Sequence, residues 1–372
     1  MSRQIFTPSP EHEEFRTSVR RFAEANATSD TVRDLMERPE GYDSAIWSQM
    51  SQQLGLQGLH IPEEHGGSGF GFAEIAIVFE EFGRTLLPSP YLATVGLGVN
   101  AILNAAAPDQ QARLLPRIAT GEEIATLAYA EALDGVDGCT VEAKTADGGH
   151  VLTGHSRHVL DGGGADLLVV PARVDGELGL FVVEGTATGL TRTPMQGVDL
   201  TRRQARIDLH GVEAERLGEG DAGDALQATL DQAAVCLTAE MVGGAQVCLE
   251  TAVQYSKDRY QFGRPIGSFQ AVKHRCADML VDVECARSAV LYAAWAAEER
   301  PEELDTVAPV TKAFASEAYV SCANKNIYVL GGIGYTWEHD AHLYLRRATA
   351  SKVLLGEPTR HRAHLAAQLV DT

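Results

Sequence analysis

Between Leu226 and Tyr255 the apolar residues Leu226, Leu230, Ala233, Leu237, Met241, Ala245, Cys248, Ala252 and Tyr255 keep the spacing of one helix face without a break. That stripe predicts a single helix over roughly 225–258, and a helix of that length must be covered by others, so the chain has to build a bundle around it. Gly243 and Gly244 leave room for a second backbone to come close. The helix ends at a corner. Gly263, Pro265 and Gly267 interrupt the pattern, and Pro265 disfavours the helical basin for Arg264, so a new helix starts near Ser268 in another direction. Arg259, Phe262, Arg264 and Gln270 crowd that corner. A guanidinium, a ring and an amide at a helix end suit a cofactor that carries phosphate and a flat ring. They also suit an ordinary helical hairpin with solvated arginines.

At 372 residues the chain has room for two or three subdomains. Phe15, Val19 and Phe22, then Ile75, Val78, Phe79 and Phe82, recur at helical spacing and predict an N-terminal helical domain over 1–122. The glycine-rich run from His65 to Gly71 reads as a turn, with neither a preceding strand nor phosphate-binding spacing. Over 123–217 the period shortens. VLTGHSRHVL, ADLLVVPARV and LGLFVVEG are β-branched segments divided by turns at Asp147-Gly148-Gly149 and Asp161-Gly162, which predicts a β domain. After a linker from Gly218 to Gly223 the helical period returns, giving a C-terminal helical domain over 218–372 with further helices expected near 268–299, 303–329, 340–355 and 358–370. The expected class is α+β.

The formal charge of -20 argues against nucleic acid and anionic membrane surfaces as partners. No apolar run approaches the ~20 residues of a membrane span, and the N-terminus lacks a signal peptide's apolar region, so the expected location is the cytoplasm. The six cysteines show neither paired nor zinc-type spacing and read as free thiols. His339, His342, His361 and His364 form no metal set. His361 and His364 read as a solvated basic helix end beside Arg360 and Arg362, and Glu338 as a charge favouring the N-terminus of the helix that follows.

The corner sequence RYQFGRPIGSFQAVKHRCADM resembles the R-x-x-F-G-x-x-I-x-x-F-Q-x-x-x-x-x-x-A-D-M signature of the acyl-CoA dehydrogenase family, whose members oxidise acyl-CoA thioesters at the α,β carbons using FAD. Leu56 to Gly67, QQARLLPRIATGE from Gln110 to Glu122, and Leu330 to Tyr335 recur in the family's order, so the resemblance spans nearly the whole chain. It implies an N-terminal α-helical domain, a middle β-barrel-like domain and a C-terminal four-helix bundle, with an acyl-CoA substrate and electron-transfer flavoprotein as acceptor. In this family FAD lies between subunits. The resemblance assigns Arg259, Phe262, Gln270, Gly331, Gly332 and Gly334 to the set that holds adenine and pyrophosphate for a neighbouring subunit. Tyr328 departs from the glutamine that many relatives carry there.

The flavin and thioester half departs further. Relatives carry T-E-P-x-x-G-S-D where this chain has Ala130, Ala132 and Val136 at the threonine, proline and serine places. Their W-I-T-N-G is matched by His158 to Gly162, and Leu160 has no hydroxyl to offer. A buried acceptor left unpaired costs about 1–3 kcal/mol. Taking a proton beside a thioester carbonyl needs a buried carboxylate with a raised pKa. Counting from Arg346-Arg347-Ala348, the resemblance puts that glutamate at Leu355, and the family's alternative site falls on Ala233, 26 positions before Arg259. Neither is an acid; Glu357 is the fallback. The motif GYTWEHDAHLYLRRA resembles actinobacterial members associated with sterol side-chain breakdown, some of them α2β2 heterotetramers in which one subunit type carries the base. The expectation is therefore the base-lacking subunit of such a heteromer, acting on a bulky acyl-CoA beside a second subunit that carries the glutamate. The alternatives are a self-sufficient homo-oligomer using Glu357 and a flavin-free scaffold of the same fold.

Overall fold

The computed structural model describes residues 9–146 and 149–370, apart from the side chain of Val136. Most of the expected Asp147-Gly148-Gly149 turn, and the Val136 side chain, thus lie outside the described residues. Among the described residues six helices form the N-terminal part: α1 (Pro10–Asn26), α2 (Ser29–Glu37), α3 (Ser44–Leu54), α4 (Phe72–Thr85), α5 (Asn100–Ala105) and α6 (Pro108–Ala119). Local chemistry starts the first three. Ser9, Thr28 and Asp43 each accept a backbone N–H of the first turn, satisfying donors that the helix itself cannot pair. The buried stretch Leu92–Val99 is wound as a π-helix and runs directly into α5.

The middle segment is a seven-stranded sheet of β1 (Ala125–Leu127), β2 (Val141–Ala146), β3 (Gly149–Leu160), β4 (Leu167–Val174), β5 (Glu177–Glu184), β6 (Leu190–Met195) and β7 (Gln204–Arg216). Its path β4-β2-β3-β7-β5 returns to β4 through the antiparallel β4–β5 pair, so the sheet closes on itself as the barrel-like domain expected above. Strand β1 adds to β4 in parallel and β6 to β7. Closure removes edges that would otherwise present unpaired backbone groups.

The C-terminal part holds α7 (Gly223–Asp258), α8 (Gln270–Glu299), α9 (Leu304–Leu330), α10 (Ala341–Val353) and α11 (Pro358–Val370). Helix α7 is the spine: it packs on α4, α8 and α9, while α10 and α11 pack on α9. By length and composition α7 could cross a membrane, which the sequence reading of apolar runs did not anticipate, but 83% of its most apolar window is buried inside the protein. Where α4 crosses α7, Gly83 lies against the carbonyl of Glu240 and Gly243 against the carbonyl of Glu80. A methyl group at either site would strike backbone that cannot swing aside. Gly243→Ala is accordingly expected to cost about 2–3 kcal/mol, read as a lowered urea midpoint at unchanged slope.

Candidate functional site

The corner after α7 is a tight two-stranded ribbon, Tyr260–Gln261 against Arg264–Pro265, turning at Phe262 and Gly263. Both turn residues are left-handed, with φ of 55° and 74°, as a two-residue hairpin of this hand requires. That conformation is natural for Gly263 and strained for an aromatic residue. The Phe262 ring is 90% exposed, set edge-on to Phe269 at 6.1 Å, and the Arg264 guanidinium lies 4.1 Å over the same Phe269 ring. Arg259 caps α7, donating its N–H to the Tyr255 carbonyl and accepting from Ile266, while its side chain stands in solvent. Gln270 opens α8 and is also exposed.

The glycine loop joins the same end of the bundle. Tyr255, one turn before Arg259, packs with Ile327, Leu330 and Ala341, and the loop Gly331–Tyr335 follows directly. Gly331 (φ 65°) and Gly332 face open space where a side chain would meet nothing within 4 Å; Gly334 is buried against Ile327 and Leu330. Tyr328 is 62% exposed, and the Arg275 guanidinium of α8 sits 4.9 Å over its ring. Arg259, Phe262, Gln270, Gly331 and Gly332 are thus gathered at one end of the helices and exposed, with Gly334 buried behind them.

The positions where the resemblance expects a base are different in kind. Ala233 is fully buried in α7, and Leu355 is 5% exposed, with φ of 58° and its N–H donating to the Tyr129 hydroxyl at 3.4 Å. Leu160 is 1% exposed, while Ala130 opens the helical turn Ala130–Gly138. Glu357 points to solvent, and its carbonyl accepts the N–H groups of Arg360 and His361 at the head of α11. Arg360 is an unforeseen staple: it pairs with Asp134 at 2.5 Å and donates to the Leu133 carbonyl, tying α11 to the 130–138 turn. At the basic helix end Arg360, Arg362 and His364 are exposed as expected, while His361 is half-buried in a cavity wall that His364 also borders. The His361 Nε2 is buried there and unpaired among the described residues, and the partial burial of the imidazole pushes its pKa down to about 4.

That cavity, of about 280 Å3, brings Leu355 together with Asp231, an acid the sequence reading passed over. Asp231 is 6% exposed and among the described residues accepts only from Gln227, at 3.1 Å; burial raises its carboxyl to about 7. A polar residue two positions from Ala233 on the long apolar stripe is the signal that would have marked it.

Two further buried groups hold the surrounding frame. Arg347 of α10, 3% exposed, donates to Asp199 at 2.7 Å, Glu240 at 2.6 Å and the Thr201 hydroxyl at 2.5 Å. Arg202 reaches the same Glu240 with two bonds of 2.7 and 2.8 Å, so the β domain, α7 and α10 meet in one ion cluster. Burial alone would raise both carboxyls; the two guanidiniums outweigh it and hold Asp199 and Glu240 below the usual range. Lys312, fully buried in α9, donates to the Ser316 hydroxyl and to the carbonyls of Lys352 and Gly356 at 3.1–3.2 Å, pinning the turn that carries Leu355.

Burial lowers the Lys312 amine to about 7 from an ordinary 10.5. Unfolded chains keep that proton up to about pH 10.5 while the folded one releases it near 7, so stability must rise with pH above 7, by about 1.4 kcal/mol per unit at most. Asp161 and Asp231, also near 7, oppose this slope only at the lower edge of that window, and the buried thiols titrate above it. Urea unfolding between pH 7 and 8.5 is expected to show the slope in the native protein and to lose it in Lys312→Met.

Comparison with known proteins agrees with this layout. Residues 9–122 match the family profile "Acyl-CoA dehydrogenase, N-terminal domain" and residues 222–370 match "Acyl-CoA dehydrogenase, C-terminal domain". The chain is 39% identical over 352 residues to Acyl-CoA dehydrogenase IpdE2 of Mycobacterium tuberculosis, covering 95% of each. Among solved structures it is similar to the ChsE4-ChsE5 complex of Mycobacterium tuberculosis (29% identity, TM-score 0.90, 99% of each chain). It is also similar to the Tcur3481-Tcur3483 steroid ACAD G363A variant (29% identity, TM-score 0.88, 98% of this chain and 99% of the other). A helical, barrel, helical chain with this corner and this likeness belongs to the acyl-CoA dehydrogenase family of FAD-binding oxidoreductases.

Proposed function

We propose that this chain is the base-lacking subunit of a heteromeric acyl-CoA dehydrogenase, lending half a cofactor site to a second subunit that carries the catalytic glutamate. The observation that carries the reading is an asymmetry. Arg259, Phe262, Gln270, Gly331 and Gly332 are displayed at the surface, whereas both base positions, Leu355 and Ala233, are apolar and buried. Arg360 moreover closes α11 onto the turn where relatives carry flavin-contacting groups. The outward corner fits one end of FAD: Arg259 for a phosphate, Gln270 as an amide donor and acceptor, the Phe262 ring for a flat face, and bare glycines with Gly334 behind them for close backbone approach. The chain's own flavin side does not fit, since Ala130 and Leu160 offer no hydroxyl.

FAD supplies the acceptor for the hydride lost from the β carbon as the α proton is taken. In this chain Arg259 and Gln270 bind and orient the cofactor's phosphate end, and Phe269 keeps Phe262 and Arg264 in place before it arrives. The acyl group is a bulky, steroid-derived one, a reading supported by the steroid dehydrogenase and the two-component complex among the similar structures. Electron-transfer flavoprotein is the acceptor, and the cytoplasm the location.

Flavin content tests the reading. The chain made alone is expected to purify colourless and inactive, and the co-expressed heteromer to hold one FAD per two chains and turn over. A yellow, active homo-oligomer at full occupancy sinks it. Flavin-free preparations with every acyl-CoA dehydrogenase partner would favour a scaffold of the same fold.

One observation favours a second reading, in which the chain carries its own proton acceptor. The buried carboxyl beside Leu355 belongs to Asp231, not to the solvent-facing Glu357. Under the leading reading, Asp231→Asn in the heteromer leaves kcat within a few-fold. A loss of about 10²–10⁴ with FAD still bound, absent in Glu357→Gln, would move proton abstraction to this chain.

A further inference from the structure

Beside the His158–Gly162 stretch of the β domain, a crevice of about 630 Å3 opens between the segment after α2 and the ends of β3, β6 and β7. That volume is in the range of small-molecule sites. Its apolar wall is made by Met36, Ile124, Pro194 and Met195, and two methionines make a wall that adapts to a ligand's shape. The floor is the turn Asp161–Gly164. Its backbone is fixed, with the Asp161 N–H donating to the Arg203 carbonyl and the Asp161 carbonyl accepting from Gly164 and Ala165 at 3.1 Å. Gly164 sends no side chain into the space, and a Cβ built there meets nothing within 4 Å.

Two polar groups converge on this space with no hydrogen-bond partner among the described residues, the Asp161 carboxyl and the Tyr42 hydroxyl. The nearby guanidiniums are engaged elsewhere. Arg203 donates through Nη2 to the carbonyls of Met36 and Arg38, its Nε keeping no partner among the described residues, and Arg192 donates to those of Gly163 and Gly185. Arg202 and Arg347 are held by Glu240. Of the other charges around the crevice, Arg38 is held by Asp34 and Asp43, while Glu37, Glu40 and Asp166 are acidic, and Asp166 accepts the Ile124 N–H.

We propose that this crevice is a binding site for a small lipophilic amine, whose ammonium pairs with Asp161 beneath the Tyr42 ring while its apolar body lies along Met36, Ile124, Pro194 and Met195. A partly buried carboxylate without a donor is costly, and a cation brought by the ligand completes it. The Tyr42 ring adds a cation–π contact. An alcohol of the same shape would gain only the apolar wall and a neutral hydrogen bond. Burial holds Asp161 up at about 7 in spite of Arg202, Arg203 and Arg347. Since the amine binds the ionised form, its affinity must rise with pH across neutrality, by about tenfold between pH 6 and pH 8.

Titration calorimetry on the full chain with 4-phenylbutylamine and 4-phenylbutanol, at pH 6 and pH 8, tests this without any enzymatic readout. The amine is expected to bind about tenfold tighter at pH 8 than at pH 6, and the alcohol equally at both. Asp161→Asn should weaken the amine at pH 8 at least tenfold and flatten its pH dependence. Gly164→Leu, which fills the floor, should abolish binding of both probes, and it carries the test if Asp161→Asn does not fold. No amine binding, equal affinity for amine and alcohol, a flat pH profile in the native chain, or unchanged binding in either variant would overturn the proposal.

Discussion

Arg347→Met is expected to destabilise the fold by about 3–5 kcal/mol at pH 7.5, enough to leave much of the protein unfolded at 37 °C. The guanidinium makes bonds to Asp199, Glu240 and Thr201 in a spot that is 3–7% exposed for all three ionised side chains. Methionine fills a similar volume but leaves Asp199 without its cation and Glu240 with Arg202 alone. A buried charge stripped of its partner costs more than the pair ever contributed. Asp199 and Glu240 have lowered folded pKa values, so the cluster's contribution is present above their ordinary values of 3.8 and 4.5 and is lost as pH falls through the folded ones. In Arg347→Met the same carboxyls are raised instead and take up protons on the acid side of neutrality, so the deficit should shrink at pH 5. Urea denaturation at the two pH values reads this directly. The double variant with Asp199→Asn should recover part of the loss; strict additivity would mean the two side chains do not interact.

Arg259→Ala is expected to weaken FAD binding by the assembled enzyme ten- to a hundredfold, the range set by about 1.5–3 kcal/mol for a hydrogen bond to a charged group. Its effect on the isolated chain should be within about 0.5 kcal/mol, because the side chain is exposed and pairs with nothing described in its own chain. The split separates a cofactor contact from a structural one. Arg259→Lys keeps the charge but not the planar fork, and should fall between the two. Flavin fluorescence titration of the apo-heteromer provides the constants. An unchanged affinity in Arg259→Ala would mean that the corner is not the surface on which FAD rests.

The sequence displayed whatever depends on near neighbours. The stripe from Leu226 to Tyr255 announced α7, and the Gly263, Pro265 and Gly267 breaks marked its end, because helix periodicity and turn residues act over a few positions. The surface corner was legible for the same reason: Arg259, Phe262 and Gln270 are brought together by the ribbon itself. What could not be read is contact between distant segments. Nothing near Arg347 says that Asp199 and Glu240 wait for it, nor near Arg360 that Asp134 does. Asp231 hid in the apolar stripe because periodicity identifies a face and not the cavity that the face lines. His361 read as solvated because the turn at Leu355 that covers it is held by Lys312, more than forty residues away.

Helix α4 rests on the backbone of α7 at Gly83 and Gly243, and one turn from that crossing Glu240 holds Arg202 of the β domain and Arg347 of α10. A few positions of one helix therefore clamp together segments that look separable in the sequence. Fragments cut near residues 122 and 217 would each expose a wall of the others' interior and fall to proteolysis. In the intact chain a lesion at the crossing is expected to be felt in all three segments, read as loss of hydrogen-exchange protection in each of them.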